Sequence, residues 1–397
     1  MQVEAVVFGL YETGLGVIRS LGRNGVKVIG IDYKKDYAWY SRYVKPLKCP
    51  HPVKEERKFI DWLILNFGQD NIKRPVFLTS DHYVMIFSKN RETLSKYFVF
   101  NLANHETLSK ISNKYQQYLL AKEAGIGVPD TYSITNKDDL ESIKEKLKYP
   151  VFLKGMDVNL WRSKISSSIK GYQLNNEQDL YEVASTLIEQ DVPFIIQKII
   201  KGPDTNHYKY CSYISKSGKV LVEFTLQKIR QSPIRFGIGS VVQSVYFEEL
   251  VIIGRKLLKG IGYNSVSSVE FKLDEEDGKL KLIEINPRYW QQNLLTYYCK
   301  SNFAYVNYLD LIDEKVETSL TFKTGVKWVN LFLDFNSFLG YYKLKEISLV
   351  EWVKSLRGPK VYSTFNWHDI KPFLCKINWG LRVFKAPLYL VDKIRFR

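Results

Sequence analysis

Cysteine is scarce in this chain: 397 residues carry only Cys49, Cys211, Cys299 and Cys375. None forms a C-x-x-C pair, which argues against a disulfide framework or thiolate metal site and fits a reducing cytoplasm. No apolar run approaches the roughly 20 residues needed to span a bilayer. Met1 to Leu10 lacks the basic flank and long apolar stretch of a secretory leader. A soluble, cytoplasmic protein is therefore expected. The five histidines are scattered and no Ser-His-Asp or Cys-His arrangement is evident, so covalent catalysis is not expected. There is no internal repeat and no low-complexity tract, which excludes solenoids and long disordered arms.

Apolar residues make up 45% of the chain, enough for several packed subdomains. The formal charge of +16 favours an anionic partner: nucleotide, phosphorylated substrate, nucleic acid or acidic membrane. These charges are spread along the chain, whereas nucleic-acid binders concentrate theirs in a stripe, so no nucleic acid is expected.

The first hundred residues alternate short apolar runs with helical periodicity. Ala5–Phe8, Val26–Ile31 and Val76–Leu78 read as strands; Leu15–Arg23 and Phe59–Phe67 read as helices. Such alternation predicts a parallel sheet covered by helices. The turn Gly9-Leu10-Tyr11-Glu12-Thr13-Gly14-Leu15-Gly16 departs from the G-x-G-x-x-G dinucleotide spacing, although Asp32 lies where a ribose-binding acid would stand. A nicotinamide-dependent oxidoreductase is thus one alternative reading.

After Ser112 the pattern changes. Lys114–Ala124 has helical spacing and ends at Gly125-Ile126-Gly127-Val128-Pro129. Strands are predicted at Tyr149–Lys154, Phe194–Ile200, Val220–Leu226, Val266–Leu273 and Leu280–Ile285. The middle of the chain is α+β with mostly antiparallel strands, while the region beyond about Gly325 is aromatic and basic.

The strongest chemical signal is Ser268-Val269-Glu270-Phe271-Lys272 followed by Lys281-Leu282-Ile283-Glu284-Ile285-Asn286-Pro287-Arg288. Glu284 and Asn286 are two residues apart on one strand, so they share a face that Glu270 on the neighbouring strand can meet. Two carboxylates and an amide oxygen suit Mg²⁺, which keeps other coordination positions for phosphate oxygens.

The run Ile283 to Arg288 resembles the metal-binding signature of the ATP-grasp superfamily, and upstream features follow that family's order. The likeness covers about residues 1 to 310. It implies an N-terminal Rossmann-like parallel-sheet domain (1–106), a two-subdomain ATP-grasp fold (107–192 and 193–320, the latter with the Mg²⁺ site) and a C-terminal extension (321–397). It also implies that Lys114 and Lys154 hold nucleotide phosphates. The hinge backbone at Lys198 and Ile200, with Gln197 beside it, would meet adenine, and Asp204 the ribose. Glu270, Glu284 and Asn286 would hold Mg²⁺ or Mn²⁺, and Arg288, with Arg230, would face the reacting carboxylate. The implied activity is that of a carboxylate–amine (or carboxylate–thiol) ligase working through an acyl phosphate on small-molecule carboxylate and amine substrates. Its nearest pattern is that of D-aspartate-ligase-like and polysaccharide-associated members, whose ATP-binding domain is similar to that of the carbamoyl-phosphate synthase large chain. Two departures stand out. The phosphate-covering loop reads Lys164-Ile165-Ser166-Ser167-Ser168 where the family is glycine-rich, and Gln291-Gln292 follow Trp290 where small residues are usual. A non-catalytic nucleotide-binding protein of the same fold is the second alternative.

The last segment, Trp379 to Arg397, mixes Leu381, Phe384, Leu388 and Val391 with Arg382, Lys385, Lys393 and Arg397. It reads either as a helix packed on the body or as a basic amphipathic element on an acidic membrane near a lipid-linked substrate.

Overall fold

A computed structural model describes residues 3–166, 169–318 and 320–383. Ser167 and Ser168 of the serine loop, and all but the first five residues of the Trp379–Arg397 segment, lie outside the described residues; so do the side chains of those five.

Apolar β-branched runs in the first hundred residues form β1 (Ala5–Phe8), β2 (Val28–Asp32), β3 (Val44–Lys48), β4 (Arg74–Leu78) and β5 (Phe98–Val99). They make one parallel sheet in the order β3-β2-β1-β4-β5. The glycine-rich turn after β1 is a packing device. Gly9 has φ +94, and a Cβ on Gly14 would come within 1.9 Å of the Gly9 carbonyl oxygen. The Asp32 carboxylate accepts the Leu10 amide at 2.6 Å and the Tyr33 amide at 2.8 Å. Both its oxygens hold backbone, which removes the support for a dinucleotide ribose there.

A second sheet contains β6 (Thr131–Ile134), β7 (Val151–Gly155), β8 (Tyr172–Leu174) and β9 (Phe194–Lys198), antiparallel in the order β6-β9-β7-β8. It has its own core, built on Leu140, Leu153, Trp161, Leu180 and Phe194.

The third sheet is the largest. It comprises β10 (His207–Ile214), β11 (Val220–Ser232), β12 (Ile238–Ser244), β13 (Ser265–Leu273), β14 (Leu280–Asn286), β15 (Lys327–Val329) and β16 (Lys360–Tyr362). Its order is β14-β13-β10-β11-β12-β15-β16. The mixed α/β architecture and the antiparallel middle agree with the sequence pattern.

The C-terminal region is built into this body. β15 and β16 extend the large sheet, and Trp328 and Val361 share a core with Val7, Leu15 and Trp290. The fully buried Arg19 donates from Nε to Asp369 Oδ2 at 2.9 Å and from Nη2 to the Thr364 carbonyl at 2.8 Å. This ties the first helix, Glu12–Gly22, to the far end of the chain.

Candidate active site

The centre of the site is the antiparallel pair β13–β14. Its register sets Glu270 directly opposite Glu284 and Ser268 opposite Asn286. Glu270, Glu284 and Asn286 therefore share one face of the sheet. Three lysines surround the carboxylates. Glu270 pairs through Oε1 with Lys209 at 2.8 Å and through Oε2 with Lys228 at 3.1 Å, while Glu284 Oε1 pairs with Lys114. Burial alone would raise both carboxyl groups, but the facing cations outweigh it. Lys209 and Lys228 hold Glu270 well below the usual carboxylate range. Lys114 holds Glu284 down to about 2. Both stay ionised at neutral pH, and Glu284 keeps 33% of its side chain open to the cleft.

Lys114 reaches this point because Asn113 caps the Lys114–Glu123 helix, its side chain accepting from the Tyr115 and Gln116 amides at 3.0 and 3.1 Å. The same helix grips the edge strand β14. Gln117 Oε1 accepts the Ile285 amide at 2.8 Å, and the Tyr118 hydroxyl donates to the Ile283 carbonyl at 2.5 Å. That tyrosine also accepts from Lys154 Nζ at 2.9 Å, with the ammonium 5.2 Å from its ring centroid. So two lysines far apart in sequence are held near Glu284: Lys114, opening the Lys114–Glu123 helix, pairs with it, and Lys154, on β7, is held by Tyr118 of the same helix. Burial pulls Lys154 down to about 8, an effect that Glu284 partly offsets.

Arg288 closes one end of the cluster. It donates from Nε to Asp81 Oδ1 at 2.8 Å and from Nη2 to Asn286 Oδ1 at 3.1 Å. Asp81 opens a helix of the N-terminal domain, so this arginine links that domain to the carboxylate face. Burial works against its charge, and Asp81 more than compensates, raising its pKa.

Among the described residues no group of three or more His, Cys, Asp and Glu side chains is placed to hold a metal ion. The donors here are two carboxylates and an amide, all hard oxygen ligands. That donor set fits a Mg²⁺ ion shared with phosphate oxygens.

No protein-family profile matches the chain. A curated relative, D-aspartate ligase of Enterococcus faecium (strain Aus0004), is 23% identical over 216 residues, 52% of this chain and 51% of that one. The chain thus matches about half the length of that relative. Solved structures align over more of it. N5-carboxyaminoimidazole synthetase from Staphylococcus aureus superposes with a TM-score of 0.65 at 16% identity, covering 87% of this chain and 86% of that one. L-amino acid ligase from Bacillus licheniformis gives 0.61 at 16%, over 79% and 75%. Biotin carboxylase from Campylobacter jejuni gives 0.61 at 15%, over 82% and 74%.

The chain has the ATP-grasp fold.

Within that ATP-grasp fold the remaining expected residues divide. Gln197 lies on β9, its Nε2 donating to Thr131 Oγ1 of the neighbouring β6 at 2.8 Å. The Lys198 amide bonds the Asp130 carbonyl at 2.9 Å and its ammonium pairs with Glu276. The Ile200 carbonyl accepts from Lys272 Nζ at 2.8 Å. All three are on or just after β9, where a hinge belongs. Asp204 is otherwise engaged: it accepts from Gln231 Nε2 at 2.7 Å, from the Arg235 amide at 3.0 Å and from the Tyr341 hydroxyl. Its carboxylate fastens the C-terminal region.

Arg230, expected to face the reacting carboxylate, lies on β11, which continues through it with register shifts at Lys228, Arg230 and Gln231. Arg230 is buried, bonded to both oxygens of Asp334 at 2.7 and 3.0 Å and to Ser355 Oγ at 2.6 Å. The Arg230 charge is neutralised internally.

Sequence reasoning missed Lys209, Lys228 and Lys170. The first two are paired with Glu270, and the charge of Lys170 acts on both carboxylates. A signal existed for Lys209, a lone cation between Tyr208 and Tyr210 in a strand otherwise suited to burial.

Proposed function

We propose that this chain is an ATP- and Mg²⁺-dependent carboxylate–amine ligase that works through an acyl phosphate. One observation carries the reading. Ionised Glu270 and Glu284 face each other on adjacent strands, with Lys114 paired to Glu284 and Lys154 held nearby on the Tyr118 hydroxyl. The carbon–nitrogen ligases among its structural neighbours and its partial likeness to a D-aspartate ligase support the same class.

In this reading Glu270, Glu284 and Asn286 hold Mg²⁺, which Mn²⁺ could replace. When bound, the ion neutralises phosphate oxygens as a Lewis acid. Lys114 and Lys154 hold nucleotide phosphates, and the backbone around Lys198 and Ile200 meets the adenine edge. Transfer joins phosphorus to a substrate carboxylate oxygen and breaks the bond to ADP. An amine then attacks the acyl carbon, and inorganic phosphate leaves with the C–O bond electrons. Both reacting partners of the first step are anions, so fixed positive charge and alignment supply the rate without a protein nucleophile. Arg288, held by Asp81 at the cluster's end, steadies negative charge on the acyl oxygen.

The test is release of ADP and phosphate with Mg·ATP across pooled amino acids and sugar acids, with hydroxylamine added to trap an acyl phosphate as hydroxamate. Equal amounts of ADP, phosphate and product are expected in one pool. Nucleotide binding without turnover in any pool would defeat the ligase reading and favour a non-catalytic nucleotide binder.

A further inference from the structure

A cavity of about 760 Å³ lies away from the carboxylate cluster. It opens at the C-terminal end of the Glu12–Gly22 helix, where Gly22 and Arg23 are part of its wall. Tyr11, at the other end of that helix and about 16 Å along its axis, is the end that feels the charge of Arg288. The proposed ligase site and this cavity are therefore at opposite poles of one helix. A volume of this order suits a small ligand.

The lining is distinctive in composition. It is rich in aromatic rings, including Tyr43, Tyr298, Tyr362 and Trp367, and holds the cations Arg23 and Lys360. None of its lining residues is acidic. The guanidinium of Arg23 is fixed in place, 5.3 Å from the centroids of both Tyr297 and Tyr298 and donating to the Tyr298 hydroxyl at 2.7 Å. Trp367 is 80% exposed, and Phe365 meets it only edge-on, at 4.8 Å and 78°. A large indole face open to water is an unfavourable arrangement that a stacked ligand would relieve.

The ring geometry selects the ligand. The neighbouring ring pairs in the wall are nearly perpendicular: Tyr297 and Tyr298 at 79°, Tyr362 and Phe365 at 81°. Perpendicular rings offer single faces at angles, with no parallel slot for a flat base. A sugar ring suits such walls, since it lays an apolar C–H face on one aromatic plane and turns its hydroxyls to the polar rim. That rim is supplied by tyrosine hydroxyls and by Asn366, whose Nδ2 donates to the Tyr298 hydroxyl at 3.3 Å. The cations require the sugar to be anionic.

We propose that this cavity is a second ligand site, separate from the ligase centre, that binds an anionic sugar by stacking on Trp367 and pairing with Arg23 and Lys360. The chemistry is shared by a free sugar phosphate and by an acidic unit within a glycan chain.

Calorimetric titration of the full chain without ATP tests this, using glucose 1-phosphate, a glucuronate-containing tetrasaccharide, uncharged glucose and AMP. At least one anionic sugar is expected to bind about tenfold or more tighter than glucose. Trp367→Ala and Lys360→Glu, both at exposed positions, should each abolish that preference while leaving thermal unfolding unchanged. Tighter binding of the tetrasaccharide identifies a glycan chain as the source, and tighter binding of glucose 1-phosphate a free sugar phosphate. Four results would each overturn the proposal: no binding of either anionic sugar at millimolar concentration, glucose as tight as the charged sugars, AMP as the preferred ligand, or wild-type affinity in Trp367→Ala.

Discussion

Two groups of buried charge in this protein use the same residue types to different ends. Around Glu270 and Glu284, single lysines from separate strands and a helix converge on carboxylates, one of which stays a third open to the cleft. At Arg230 and Asp334 one guanidinium closes on one carboxylate through two bonds, with Trp352 Nε1 adding a third contact at 2.8 Å. The lysines are point charges on flexible stems and can be transferred to an incoming phosphate. The arginine fork is fully engaged and has nothing to hand over. Buried charge alone does not mark a reactive centre. The distinguishing feature is a carboxylate, Glu284, that stays a third open to the cleft.

The sharpest way to break this contrast is Glu284→Ala. It removes a proposed metal ligand and frees Lys114, and ADP release is expected to fall on the order of a hundredfold or more. The thermal midpoint should change little because the side chain borders the cleft. Turnover at the parental rate would remove the cluster from the chemistry altogether. Arg230→Ala should act in the opposite sense. Leaving Asp334 buried without its partner costs about 3–5 kcal/mol, read as a lower urea midpoint with an unchanged slope. Turnover per folded molecule should be retained. A large loss of turnover at an unaltered midpoint would return Arg230 to the reacting groups.

The smallest effect concerns pH. Burial lowers Lys154 from 10.5 to about 8 in the folded chain. Between those values the unfolded chain binds the extra proton, so this group makes stability rise with pH across that window. Phosphate needs the ammonium form, so nucleotide affinity should weaken as pH climbs through about 8, by up to about tenfold per unit. ADP titrations at stepped pH would measure this, and Lys154→Arg should flatten the alkaline decline. A flat wild-type profile would exclude Lys154 as a phosphate ligand.

How much of this was legible follows from what each residue depends on. Glu284 and Asn286 alternate within one strand, so a period of two was enough to put them on a common face. Glu270 needed only the neighbouring strand of the same hairpin. Lys114 and Lys154 were placed by the order of motifs, since nothing local marks either lysine as more than a surface charge. Lys209 and Lys228 were missed because their meaning arises only when β10 and β11 lie beside β13, and that pairing is not encoded near either residue. The packing of Arg230 and Asp204 was hidden for a related reason: their partners, Asp334 and Tyr341, come from a region whose periodicity was unreadable. The parallel first sheet and antiparallel middle were visible in hydrophobic patterning, whereas the integration of β15 and β16 into the large sheet was not.

The Arg19–Asp369 pair has a consequence for synthesis. The two residues are 350 positions apart, and Arg19 is completely shielded in the finished molecule. During synthesis this arginine must remain hydrated until 350 further residues have been added. The Glu12–Gly22 helix therefore cannot lock into its final packing in the usual vectorial order. A chain cut short between the two residues leaves the Glu12–Gly22 helix with a stranded cation, an intrinsic mark by which such truncated products differ from longer ones.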